Sequence, residues 1–441
     1  MTPMSILPSI KRVAFAARYA LRMRRGRRAV MAHLAAPETH PVPMPTFVQL
    51  RITNLCNLRC KMCGQWGDTG IYREKETPLA SDGQAEQDRI RELIGLKRQL
   101  GLADYVRLLD EVAPHRPVIS LFGGEPFLFP DIIPLIRDIK RRGLTVTIIT
   151  NGWFLERHAR ELVELGVDTI AVSIDGPPDL HDRIRGRESS FERAAAGVRA
   201  VARFRKEMGR GLPVQMAILP ITELNVAAVD PAIAALQELP LDLVNVGLRW
   251  FVPKEVGAQY EQVMQRDLGV PGESWKGFDF KWPGGDEAGG AKVMQALVGS
   301  LKTLRRSRVA DWLSGKPWTS FVPAVTPEEV PAYFTDFNQT FGHDLCPVAW
   351  YFAQVEADGE VCFCGDFPDY FIGNVRDRPF AEIWHGERAG AFRAKLAKEP
   401  LPICARCCGS FVYGKWKHPA RAADLAMRQA VPPPALGPAR S

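Results

Sequence analysis

The run Cys56-Asn57-Leu58-Arg59-Cys60-Lys61-Met62-Cys63 sets three thiols at C-x3-C-x2-C spacing, directly after the strand-like segment Thr46 to Ile52. Three cysteines in one loop suit three irons of a cubane cluster and leave the fourth iron without a protein ligand. That iron is then open to chelation by a substrate or cofactor, as an open zinc position is. Zinc is the competing chemistry, but it usually takes C-x2-C pairs with a fourth Cys or His nearby, and here none follows before His115. A chance cluster of structural thiols is the plainest alternative.

A second cysteine group lies far downstream. Six cysteines, Cys346, Cys362, Cys364, Cys404, Cys407 and Cys408, fall within 63 residues. In a reduced compartment such density calls for a metal, and four thiolates fully ligate either a cubane or a zinc ion. Spacing alone leaves both open.

The elements that must position these thiols follow from the alternation of apolar runs. Strands are expected at Thr46 to Ile52, Pro117 to Phe122, Thr145 to Thr150, Asp168 to Ile174, Val214 to Leu219 and Leu243 to Leu248. Helical stretches are expected between them, near 85–113, 131–142, 154–165, 191–208 and 225–238. Near-continuous apolar strands alternating with helices give a parallel sheet covered by helices. Six βα units are too few for a closed eight-stranded barrel, so the expected fold is α/β, a partial (β/α)6 TIM-like barrel. In such folds ligands bind at the carboxyl ends of the strands. The cysteine loop, Gly123-Gly124-Glu125-Pro126, Thr150-Asn151-Gly152 and Ser173-Ile174-Asp175-Gly176 each follow one of the first four strands. Singly these are weak turn signals, but together they converge on one pocket, where Gly123 and Gly124 let backbone approach a ligand closely.

The cysteine octapeptide resembles the cluster loop of the radical S-adenosylmethionine (SAM) superfamily. The resemblance implies a [4Fe-4S] cluster on Cys56, Cys60 and Cys63 that binds SAM and, once reduced, cleaves it to methionine and a 5'-deoxyadenosyl radical. Met62 stands where the family often has an aromatic residue near adenine, and a thioether fills similar space. The same resemblance gives the turn at Gly123, Gly124 and Glu125 to the SAM ammonium group, and Asn151, Ser173 and Asp175 to its ribose or methionine parts. Arg185 would pair with the SAM carboxylate; the alternative for Arg185 is a surface salt bridge.

Downstream, Cys346-Pro347, Asp358-Gly359-Glu360-Val361-Cys362-Phe363-Cys364, Gly373-Asn374-Val375, Glu382-Ile383-Trp384 and Cys404-Ala405-Arg406-Cys407 resemble the SPASM/twitch extension of radical SAM barrels. Mapped onto it, Cys346, Cys364, Cys404 and Cys407 ligate one auxiliary [4Fe-4S] cluster, in a small cysteine-rich α+β domain. Two-cluster versions need further cysteines, and none follows Cys408. Cys362 and Cys408 are left as buried thiols or alternative ligands.

Composition is that of a globular protein, with 46% apolar and 24% charged residues. Residues 1–37 carry eight Lys/Arg and no acid, so a net charge of +7 leaves the other 404 residues at −1. The basicity belongs to one arm, which argues against a nucleic-acid surface. That arm, helical over residues 5–34 and followed by a Pro-rich linker, suits an anionic membrane surface, a cover for the barrel or a partly disordered solvated arm. No apolar run is long enough to span a bilayer.

The expected organisation is therefore 1–45 arm and linker, 46–248 barrel, 249–343 Trp-rich insertion, 344–415 auxiliary-cluster domain and 416–441 tail. The insertion reads as a satellite apolar core or as a lid. The expected activity is hydrogen abstraction from an unactivated C–H bond of a lipid-like or other small-molecule substrate. It would run in the cytoplasm, or peripherally on the inner membrane surface, with an electron donor such as flavodoxin or ferredoxin. A peptide maturase is the alternative, disfavoured because 45 residues before the barrel are too few for a winged-helix leader-binding domain. A non-enzymatic iron–sulfur or zinc protein is the alternative from another class.

Overall fold

The computed structural model describes residues 3–67, 70–71, 99–280, 290–407, 409 and 415–419. The first part of the expected 85–113 helix, Trp282, Cys408 and nearly all of the tail lie outside them.

Six parallel strands form where the apolar runs predict them. They are β1 (Phe47–Thr53), β2 (Val118–Gly123), β3 (Thr145–Thr150), β4 (Thr169–Ser173), β5 (Val214–Ile221) and β6 (Leu243–Leu248). On β3 and β5 burial alternates strictly between full and half. The half-buried residues Phe122, Ile149 and Ser173 line a cavity at the strand ends, so that face looks into the barrel while the other packs on helices. Between the strands run α2 (Leu102–Val112), α3 (Ile132–Arg141), α4 (Leu155–Leu165), α5 (Pro178–Arg185), α6 (Ser190–Glu207) and α7 (Val229–Gln237). Their ends follow ordinary chemistry. Gly166 terminates α4 in the left-handed region, and the Val167 N–H returns to the Leu162 carbonyl.

The sheet is wider than six strands. Beyond β6, residues 249–343 contribute α8 (Lys254–Leu268), α9 (Gly290–Leu313), β7 (Trp318–Val322) and α10 (Val330–Thr335), and β7 pairs parallel to β6. At the other edge, β8 (Phe352–Val355) pairs parallel to β1, and β9 (Glu360–Cys362) and β10 (Phe371–Asn374) continue antiparallel. The order is β10-β9-β8-β1-β2-β3-β4-β5-β6-β7. The C-terminal cysteine region is thus built onto the barrel sheet, and its Phe363, Trp384 and Phe392 share one apolar core with β1 and β2.

The N-terminal helix α1 (Pro3–Ala35) crosses the amino ends of the strands. Arg12 pairs with Asp242 before β6, Arg22 donates to Thr145 of β3 at 2.9 Å, and the Tyr19 ring meets Phe47 of β1 at 6.3 Å. A Cβ on Gly26 would stand 2.1 Å from Thr46 Oγ1, so the helix touches the sheet there with no room to spare. Of the three readings of the arm, covering the barrel is the one these contacts describe.

Candidate active site

The cysteine loop has its own small apolar cluster of Cys56, Leu58 and Trp66, with Cys60, Cys63, Phe122 and Trp153 packed against it. A cavity of about 170 Å³ opens above it at the carboxyl ends of β1 to β4. Cys56, Cys60 and Cys63 all line it, as do Gly123, Gly124, Asn151, Ser173 and Arg185. Of the expected contacts, Met62, Glu125 and Asp175 are not among the lining residues.

Close backbone approach fixes the loop. The Gly124 N–H donates to the Thr53 carbonyl at 2.9 Å and the Glu125 N–H to the Leu55 carbonyl at 2.8 Å. A Cβ on Gly124 would lie 2.1 Å from the Leu55 oxygen, and one on Gly123, at φ +152°, 2.4 Å from the Thr53 oxygen. The two glycines therefore admit the cysteine loop itself. Gly124→Ala is expected to push Leu55 and Cys56 out of place. Iron content after anaerobic reconstitution should fall by roughly half, and an unchanged content would show that the turn tolerates the methyl.

Glu125 works beneath the cavity. It is fully buried; Oε1 accepts from the Phe127 N–H at 3.2 Å and the Thr150 hydroxyl at 2.8 Å, and Oε2 from the Asn151 N–H at 2.8 Å. Burial raises its pKa to about 7 despite these donors. The carboxylate thus ties the end of β2 to the end of β3. Glu125→Gln turns an amide toward at least one backbone N–H and leaves that donor unsatisfied, which costs about 1–3 kcal/mol. The measurement is the thermal midpoint of the loaded protein, which should drop.

Asn151 is oriented by its own turn. Its amide donates to Asn57 Oδ1 at 2.9 Å, and its oxygen accepts from the Trp153 N–H at 2.9 Å. Arg187 donates to the Asn57 carbonyl at 3.2 Å while its guanidinium sits 3.8 Å over the Trp153 ring. On the next strand end, Arg185 binds Asp175 through Nε and Nη2, the latter at 2.9 Å, and turns Nη1 toward Cys60 Sγ at 3.7 Å. Both partners are buried, so this is no surface pair. Burial raises the Asp175 carboxyl, Arg185 opposing it, and Asp175 holds Arg185 protonated. The Asn225 amide and the His181 ring secure the Asp175 backbone at 2.8 and 3.1 Å.

Sequence reading passed over several residues here. Gln65 and Trp66 line the cavity just past Cys63, and the Trp66 N–H points at Cys63 Sγ from 3.2 Å. Arg249, after β6, donates to the Met62 carbonyl at 2.8 Å, is held by Glu223 at 3.0 Å and lies 3.1 Å over the Phe280 ring. Gly277 meets Gly64 backbone to backbone, a Cβ there falling 2.3 Å from the Gly64 oxygen. Part of the Trp-rich stretch is therefore a wall packed against the cysteine loop, with none of its described residues lining the cavity. Its tryptophans do not form one core: Trp275 is buried against Gly257, while Trp312 is 55% exposed.

The second group gathers next to this wall. The Cys404 thiol lies within hydrogen-bonding reach of Cys346, and Cys346 and Cys407 stand close enough to act on both Cys364 and Cys404. Burial and these neighbours push Cys364 and Cys404 well above the ordinary thiol range. Cys362 stands beside them, its Sγ 3.9 Å from Glu356 Oε1 and 3.8 Å from the Cys364 carbonyl. Tyr260 of α8 and Ser274 bind Asp369, clamping the wall to the C-terminal region.

The donor sets fit iron–sulfur clusters. In the first site burial and Cys60 push Cys56 well above the usual thiol value, and burial takes Cys60 to about 11. Such thiols become ligands when a cationic group offsets their charge. Among the described residues no three donors close around a single ion. A cubane presents its thiolates from separate irons and so takes ligands standing further apart.

Comparison with known proteins decides the family. Residues 50–213 match the family model described as the radical SAM superfamily. The chain belongs to the radical SAM superfamily. Residues 346–408 match the SPASM model, an iron–sulfur cluster-binding domain. Among curated relatives, the Fe-coproporphyrin III synthase of Methanosarcina barkeri is 28% identical over 88% of this chain and 86% of its own. The AdoMet-dependent heme synthase of the same organism is 25% identical, over 82% and 87%. The PqqA peptide cyclase of Ruegeria pomeroyi is 30% identical over 41% of each. Streptococcus suis SuiB bound to S-adenosylmethionine superposes with a TM-score of 0.51 at 14% identity, over 87% of this chain and 76% of that one, a likeness of fold. This radical SAM protein is an enzyme that uses a [4Fe-4S] cluster and SAM, with auxiliary iron–sulfur binding in its SPASM domain.

Proposed function

We propose that this radical SAM enzyme abstracts hydrogen from an unactivated C–H bond of a small, lipid-like molecule. The observation that carries the reading is the wall over the site. Residues 249–280 press on the Cys63 loop through Gly64 and Gly277, and Phe278 packs on Phe367 of the SPASM region at 5.0 Å. Leu58, Trp66, Phe122 and Ile149 give the cavity an apolar side, opposite the polar groups of Asn151, Ser173 and Arg185 that would meet SAM. The relatives matched along most of their length include the heme and Fe-coproporphyrin III synthases and a tungsten-containing aldehyde ferredoxin oxidoreductase cofactor-modifying protein, whereas the peptide cyclase matches over 41%.

The residues take the following roles. Cys56, Cys60 and Cys63 hold the SAM-binding cluster, and Cys346, Cys364, Cys404 and Cys407 the auxiliary one. Bound there, cluster and SAM would supply the radical chemistry, given an electron from a flavodoxin or ferredoxin-type donor. Gly123 and Gly124 shape the floor. Asn151 and Ser173 present polar groups to the ribose and methionine parts of SAM. Arg185 offers its Nη1 edge to the SAM carboxylate, with Asp175 keeping it aimed. Met62 and Glu125 act through backbone position. Leu58, Trp66 and Phe122 keep water from the reacting centre.

The experiment compares extracts of a host carrying the wild type with an isogenic Cys56→Ala strain, by mass spectrometry of lipid, polar and peptide fractions. A difference among small apolar molecules supports the reading; one confined to a peptide overturns it. The peptide reading has its own support in the PqqA cyclase match.

We also infer contact with an anionic membrane through α1. Arg18, Arg24, Arg25 and Arg28 are exposed on the helix that covers the barrel, with Val13 and Leu21 exposed beside them. Among the described residues no helix is long and apolar enough to cross a membrane. The full-length protein should sediment with vesicles containing phosphatidylglycerol and be released by salt; equal binding to neutral vesicles would sink the idea.

A further inference from the structure

We propose that Arg51 is a positioning residue shared by the two cysteine sites, fixing the Cys364 loop against the Cys63 loop and raising the reduction potential of the cluster each one holds.

Arg51 sits in the middle of β1 and is fully buried. Its guanidinium lies against the rings of Trp66 and Phe122, at 5.1 and 5.6 Å, both of which line the SAM cavity. Nη1 faces Gln65 Oε1 at 3.5 Å, two residues past Cys63. On the other side Nη2 donates to the carbonyl of Gly365, adjacent to Cys364, at 3.1 Å. One rigid cation therefore links the Gln65 side chain, two residues past Cys63, to the backbone next to Cys364. Gln65 adds a second tie, its amide reaching Asp366 at 3.3 Å.

The counter-charge is displaced to one side. Glu356 Oε2 meets Arg51 Nε at 3.0 Å, while Oε1 accepts from Gln354 and faces the Cys362 thiol. The carboxylate thus lies toward the SPASM strands. Desolvation of a buried pair offsets most of its attraction, so stability alone does not account for a guanidinium here. Its field does different work. Reduction adds one negative charge to a thiolate-ligated cluster, and a buried cation in a low-dielectric setting favours the added charge. The carboxylate opposes it.

The test is an EPR-monitored redox titration of the full chain, anaerobically loaded with iron and sulfide and poised with dithionite. Arg51→Met should lower the midpoints of both cluster signals by about tenfold in the reduction equilibrium, about 59 mV for a one-electron couple. Arg51→Lys should restore most of that shift. Glu356→Gln should move the midpoints upward, the auxiliary signal more. A merely structural role predicts weaker cluster loading with no such opposition of sign. Unchanged midpoints in a loaded Arg51→Met protein overturn the proposal. If that variant does not fold, Glu356→Gln decides: an upward shift supports the proposal and an unchanged midpoint overturns it.

Discussion

Cys56→Ala is expected to abolish reductant-dependent formation of 5'-deoxyadenosine from SAM. Cys56 is the most buried of the three loop thiols and follows Leu55, whose carbonyl takes the Glu125 N–H. Its position is therefore set by the turn after β2 as well as by its own loop. With two thiols left, the site cannot hold three irons, and iron should fall by about four per chain. The control is Cys362→Ser. Cys362 faces Glu356 and stands outside the expected ligand set, so its loss should leave iron and product formation near wild type. A Cys56→Ala protein that keeps even a tenth of the product would remove this loop from the chemistry.

The second large effect belongs to Cys404→Ala. Cys404 lies against Cys346 at the end of a chain path that also brings in Cys364 and Cys407. A cluster on these thiols cross-links segments distant in sequence, and its binding free energy is folding free energy. The variant should lose about four irons and a thermal midpoint of roughly 5–10 °C. Slow SAM cleavage without substrate should persist, because the first site keeps its three thiols. Unchanged iron content would exclude Cys404 from the ligand set. Loss of SAM cleavage as well would mean that the auxiliary group supports the first site through the Arg51 network.

Local chemistry made the barrel legible. Its six strands span five to eight residues; Thr145–Thr150 and Leu243–Leu248 have the expected ends, and the other four differ from expectation by one or two positions. The turns carrying Gly123, Asn151 and Ser173 could be placed on one rim because parallel strands share a direction. What escaped was set by partners far away in sequence. Trp318–Val322 is a short edge strand whose identity depends on pairing with β6. Phe352–Val355 gives no sign that its neighbour is Phe47–Leu50. Glu125 was visible as part of a motif, but the direction of its carboxylate was not, since Thr150 and Asn151 determine it. One signal was available and passed over. Arg51 puts a full charge into β1, and a charge inside a buried parallel strand needs a partner.

The pairing of β8 with β1 bears on how the chain is made. During synthesis β1 emerges early, and β2 can cover one of its edges soon afterwards. The other edge waits for residue 355. At about 5–20 residues per second that interval is on the order of tens of seconds. Throughout it β1 presents unpaired N–H and C=O groups next to the cysteine loop, the kind of edge that recruits other strands. Nascent chains released before β8 should therefore aggregate, and a fragment ending at residue 343 should be insoluble. Metal loading on the ribosome would come too early. The SAM-binding cluster is best inserted once the C-terminal region has closed the sheet, which sets an order of assembly in which the last strand made protects the first.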